Sequence, residues 1–168
     1  MPTPSVPLVR APGLVSTLKH GAVAGCAAAT LACAGAQVRP EPNARCPDRA
    51  LQSMRQLGLE LGAQIDIYVN KDRPGGSSEP GFLYDGPIIS RVFASRRLPE
   101  GTLVEGRLWT KGKTIIGRYT ALELPDGQRY PVCFVLCDLD GCTKRPESTP
   151  EASAIGRAVV FQVVDVFP

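Results

Sequence analysis

Apolar and polar residues alternate through much of the second half of this chain, and four runs carry the period of β-strands: 87–94, 102–110, 114–124 and 128–136. Compact turn signals separate them, at Leu98-Pro99-Glu100-Gly101, Lys111-Gly112-Lys113 and Pro125-Asp126-Gly127. Proline presets φ and glycine accepts positive φ, so each signal reverses the chain within a few residues and lets each strand pair with the next. The pattern predicts an antiparallel meander. Val104, Gly106 and Leu108 fall on one face of the second strand, and Glu105, Arg107 and Trp109 on the other. Gly106 and Gly117 stand inside strands, where glycine marks a bulge, a bend or a close backbone approach. Repeated bends of this sort suit a curved sheet closing toward a barrel.

Upstream, Leu51, Met54, Leu57 and Leu61 recur at helical spacing and form one apolar stripe, a packing face. Pro47 and Asp48 suit the first turn of that helix, because the missing N–H costs nothing there and a negative charge favours the helix dipole. Gly58 and Gly62 threaten its last turn, so the helix is expected to stop near Leu57. Ile65, Ile67 and Val69 then alternate with Gln64, Asp66 and Tyr68 as in a half-buried strand. The segments 70–81 and 147–153 read as loops, and 158–167 is a β-branched, aromatic run expected to be a central or closing strand. The fold class is therefore mainly β (α+β): a small antiparallel meander with one N-terminal helix.

A chain of 168 residues that is 43% hydrophobic has enough apolar material for one core. A formal charge of +3 is too small and too dispersed for the electrostatic footprint of a nucleic-acid binder, and no nucleic-acid partner is expected. The leader is more informative. Residues 1–32 contain no acid, and Arg10 and Lys19 precede an apolar, Ala-rich run over 21–32, the charge-then-apolar layout of a secretory signal. That run is too short to span a bilayer as a mature helix, which needs about 20 residues.

Here the residues resemble a bacterial lipoprotein precursor, whose signal ends in an aliphatic residue, small residues and the Cys that receives the lipid. Two stretches offer that Cys, Val23-Ala24-Gly25-Cys26 and Thr30-Leu31-Ala32-Cys33. The first matches the motif better but leaves only a short apolar run after His20; the second has the longer run, although Thr30 stands where an aliphatic is usual. Cys33 is favoured and Cys26 is the alternative, with an ordinary signal peptide cut near residues 34–36 as the plainer reading. On the favoured reading, residues 1–32 are the signal, 33–45 hold the lipid site and a tether interrupted by Pro40 and Pro42, and 46–168 form the domain.

Cysteine parity agrees with Cys33. Removing Cys26 with the signal and acylating Cys33 leaves Cys46, Cys133, Cys137 and Cys142, an even set that suits two disulfides in an exported domain. Of the three connectivities, Cys137 with Cys142 and Cys46 with Cys133 is favoured, because Asp138-Leu139-Asp140-Gly141 can turn the chain back between the flanking cysteines. The plainer alternative is that some are buried free thiols. A further resemblance lies in Leu98-Pro99-Glu100-Gly101-Thr102-Leu103, Gly117-Arg118 and Leu124-Pro125-Asp126-Gly127, which together look like the layout of the periplasmic barrel component of type IV secretion systems. The chain beyond the signal is also similar to uncharacterised myxobacterial lipoproteins, some of which carry serine/threonine-kinase labels.

The candidate chemistry is mostly negative. His20, the only histidine, falls in the predicted signal, which leaves the domain without Ser-His-Asp or Cys-His catalysis or a His-ligated metal. The sequence holds no Gly-rich phosphate loop, His-Arg-Asp loop or Asp-Phe-Gly motif of a kinase. Asp138-x-Asp140-Gly141 reads as a turn and not a calcium loop, since Thr149 occupies the place of the last bidentate Glu. No catalytic residue, cofactor or metal is expected. Arg91, Arg96, Arg97, Arg107, Lys111, Lys113 and Arg118 outnumber Asp85, Glu100 and Glu105 in the meander; the plain reading is edge protection, the sharper one a face for anionic lipid or cell-wall polymer. The expected function is that of a non-enzymatic, membrane-tethered envelope lipoprotein acting as a structural or protein-interaction module. The alternative is an accessory or sensor domain of a signalling system.

Overall fold

The computed structural model describes residues 39–168, so the lipidation candidates Cys26 and Cys33 lie outside the described residues. One helix and eleven strands follow one another in the order β1 (Ala44–Arg45), α1 (Asp48–Gln56), β2 (Gln64–Tyr68), β3 (Pro80–Leu83), β4 (Gly86–Ala94), β5 (Leu103–Trp109), β6 (Thr114–Glu123), β7 (Arg129–Leu136), β8 (Cys142–Thr143), β9 (Ser153–Gly156), β10 (Ala158–Val163) and β11 (Val166–Phe167). The meander is β4 through β7, with each hairpin where its turn signal stands; Gly101 and Gly127 take φ of 86° and 85°, as those turns require.

Six strands close into an antiparallel barrel in the order β5-β4-β2-β10-β7-β6, with β6 pairing back onto β5. The run predicted to close the sheet does so: β10 lies between β2 and β7 and contributes Phe161 and Val163 to the interior. The register breaks between β2 and β4, β5 and β6, and β6 and β7, and one of these breaks falls at predicted Gly106. Between β5 and β6 the register jumps from Glu105↔Ala121 to Gly106↔Tyr119, which leaves Thr120 as an extra residue, the signature of a bulge. Closure leaves no free barrel edge to template aggregation.

Alternation decides which side chains fill the barrel. Ile65, Ile67, Val92, Val104, Leu108, Ile115, Tyr119, Leu122, Phe134 and Phe161 are all buried. The rings of Tyr119 and Phe161 lie 4.2 Å apart and those of Phe134 and Phe161 5.7 Å apart, so the interior is a packed core of side chains. Helix α1 begins after Pro47 with Asp48 in its first turn, ends at Gln56, and is followed by Gly58 at φ 67°. It buries Ala50 and Met54 against β7, and Met54 Sδ accepts the Cys133 N–H at 3.4 Å. Because the helix stops there, Leu61 leaves the predicted stripe and is 60% exposed.

Both favoured disulfides are present, Cys46–Cys133 and Cys137–Cys142. The expected tether is engaged sooner than its composition implied: Ala44 and Arg45 pair with Phe167 and Val166, so the N-terminal strand of the domain precedes Cys46. A clip starts where each expected loop ends, β3 pairing with β9 over four positions, in stretches for which no strand was expected. Among the described residues, every strand pairing and both disulfides join positions within 39–168, so that stretch contains the contacts it needs to fold alone.

Candidate functional site

The barrel interior holds one polar chain. Ser90 on β4 and Tyr119 on β6 are fully buried, with Ser90 Oγ 2.8 Å from the Val69 carbonyl and 3.1 Å from Tyr119 Oη. Ser90 has a single hydroxyl proton and Val69 O can only accept, so Ser90 donates to Val69 and Tyr119 donates to Ser90. Burial pushes the Tyr119 hydroxyl well above its ordinary value. A phenol held neutral this way braces the barrel. It has no adjacent base to make it a nucleophile.

The outer wall carries the more unusual group. Arg118 points outward from β6, as alternation requires, yet it is only 9% exposed because the segment at Glu41 and the C-terminal Phe167 and Pro168 lie over it. Its guanidinium donates to the main-chain oxygens of Glu41 and Pro168 and stands 5.0 Å from the Phe167 ring and 6.0 Å from Trp109. Among the described residues Arg118 Nε has no hydrogen-bond partner. Burial pulls the guanidinium below its ordinary value while the Glu41 charge raises it, and it remains cationic. With β1–β11 and the Cys46–Cys133 bridge, Arg118 forms a clasp that fixes where the N-terminal segment meets the barrel.

The basic residues of the meander do not gather on one face. Arg118 is buried; Arg91 lies over the Tyr68 ring; Arg96 and Arg97 sit in the β4–β5 connection, where Arg97 faces Glu60 at 3.5 Å. Arg107 pairs with Asp85 at 3.6 Å, and Lys111 and Lys113 occupy the β5–β6 hairpin at the opposite barrel end. At that same end the predicted turn between Cys137 and Cys142 is realised by Gly141 at φ 84°, with the Asp140 N–H donating to Asp138 Oδ1 at 2.9 Å. Its tip, Leu139, is exposed. Sequence reasoning missed the clasp, since an Arg between Gly117 and Tyr119 reads as a solvated outward residue until the termini are placed.

Among the described residues no three His, Cys, Asp or Glu side chains converge as a metal site, and no helix is long and apolar enough to cross a membrane. The paired cysteines mark an oxidising environment of the kind exported domains meet. Comparison with family models, curated proteins and solved structures finds no match to this chain.

Proposed function

We propose that this chain is an envelope lipoprotein, anchored through Cys33 to a bacterial membrane on its periplasmic or outer side, whose barrel serves as a non-enzymatic structural or protein-interaction module. The observation that carries the reading is the pairing of all four cysteines beyond the leader into two bridges, one of which clamps the start of the domain to the barrel wall. A tether fixed to the barrel by a bridge and a buried arginine suits a domain held at a surface, and the filled interior directs any recognition to the outer face. The partners that fit are an envelope protein or an anionic cell-wall polymer.

Membrane fractionation with a lipid label tests the anchor. Cys33→Ser should release the protein into the soluble fraction and abolish labelling, while Cys26→Ser should leave both intact. The opposite pattern would move the lipid to Cys26, and release by neither would remove the anchor. A pull-down from envelope extract then separates a structural partner from a signalling one.

A further inference from the structure

We propose that the barrel end carrying the β5–β6 hairpin docks on the anionic headgroup layer of the bilayer that holds the chain's lipid, an inference that rests on acylation of Cys33. Covalent reach comes first. The chain from Cys33 to Arg39 spans at most ~20 Å when fully extended. Arg39 itself lies beside Gly112, and Arg39, Lys113, Ile116 and Leu139 line one open groove. The clasp at Arg118 holds the segment there, so an anchor at Cys33 keeps this end of the barrel, and not the β4–β5 end, nearest the membrane.

The chemistry of that end fits the occupant. Arg39, Lys111 and Lys113 are exposed, and Lys144 Nζ donates to the Thr110 carbonyl at 2.6 Å, which places a fourth cation at the hairpin's base. Asp85 is taken up by Arg107, which leaves Glu41, Asp140 and Asp138, still charged although it accepts the Asp140 N–H, against the four cations. Leu139, 52% exposed, projects from the bridged turn at this end, whereas exposed Leu61 lies beside Glu60 and Arg97 toward the other. Cations beside an exposed aliphatic are the composition that binds a headgroup layer, the first by attraction to anionic lipid and the second by shallow insertion. A weak face suffices, because a short tether supplies a millimolar effective concentration.

The test uses the oxidised domain of residues 34–168, which lacks Cys33, in co-sedimentation with vesicles of phosphatidylcholine alone or of phosphatidylcholine mixed with anionic phosphatidylglycerol. Binding should require the anionic lipid and fall with salt. Lys111→Glu with Lys113→Glu should weaken it well over tenfold, since each cation near the surface is worth about fivefold and two like charges are added. Arg96→Glu with Arg97→Glu, at the other barrel end, should leave it unchanged. Equal binding to both vesicle types, or an equal loss from the two pairs, overturns the proposal. Vesicle binding without lipid on Cys33 in cells would remove the anchor and keep the face; acylated Cys33 with no vesicle preference would remove the face and keep the anchor.

Discussion

At the scale of single residues, Tyr119 sets the tolerance of the barrel wall. Its ring lies over two glycines: a Cβ on Gly106 would stand 2.4 Å from the Arg118 carbonyl and 2.5 Å from the ring, and one on Gly117 would stand 2.7 Å from Leu136 Cβ. Those glycines are there for close approach, because neither needs a positive φ. Gly106→Ala should therefore cost about 1–3 kcal/mol by overpacking, against ~1 kcal/mol for Tyr119→Phe, which removes one hydrogen bond and leaves Ser90 bonded to Val69. Denaturant midpoints read both. The same tyrosine gives the alkaline limb a sign. Its folded pKa lies above the ordinary 10.0, so above that pH the unfolded chain loses the proton that the native state retains, and stability falls as pH rises. Below pH 10 this contribution is fully present. Tyr119→Phe should flatten the loss above about pH 10, and an unchanged limb would show that another group controls it.

At the scale of elements, the two bridges act on different lengths of chain. Cys46–Cys133 spans 87 residues and joins the start of α1 to β7, whereas Cys137–Cys142 spans 5 and closes only the turn that presents Leu139. Loop entropy assigns about 4.5 kcal/mol to the first and about 2 kcal/mol to the second. Cys46→Ala should accordingly lower stability more than Cys142→Ala in urea titrations, and the freed Cys133, buried under Met54, should react with thiol reagents only as the domain opens. A larger loss from Cys142→Ala would mean that the turn braces more than itself. The Cys137–Cys142 pairing was legible in the sequence, as were α1 and the meander, because each is declared locally: Asp138 to Gly141 turns the chain between the cysteines, Pro-Asp starts the helix, Gly58 follows its end, and Pro and Gly set the hairpins; Cys46–Cys133 followed as the remaining pair. What local signals cannot declare is a partner elsewhere in the chain. β3 and β9 sit in Pro/Gly/Ser-rich stretches with no alternation, and they exist because Phe82 pairs with Ala154 across the chain. The Arg118 clasp and the Ser90–Tyr119 bond escaped for the same reason, each joining residues that only barrel closure brings together.

For the whole molecule, the order of strands around the barrel separates what can form early from what must form late. The hairpins from β4 to β7 join sequence neighbours, whereas β10 must find both β7 and β2, the latter 96 positions upstream by the Phe161↔Ile65 pairing. Closure entropy is spent before those distant pairs return anything, so the meander is the natural nucleus and β10 the late seal. Mutations should then split by limb. Leu122→Ala, on β6 in the meander, should slow folding, while Val163→Ala, on the buried face of β10, should leave the folding rate nearly unchanged and speed unfolding. Both remove buried methyl groups, at a cost of roughly 1–5 kcal/mol, enough for the ratio of kinetic to equilibrium change to be read. Refolding is followed from urea with both bridges intact, because reduction would add a second, slower chemical phase. If Val163→Ala slows folding as much as Leu122→Ala does, the seal belongs to the nucleus and the barrel closes as it forms.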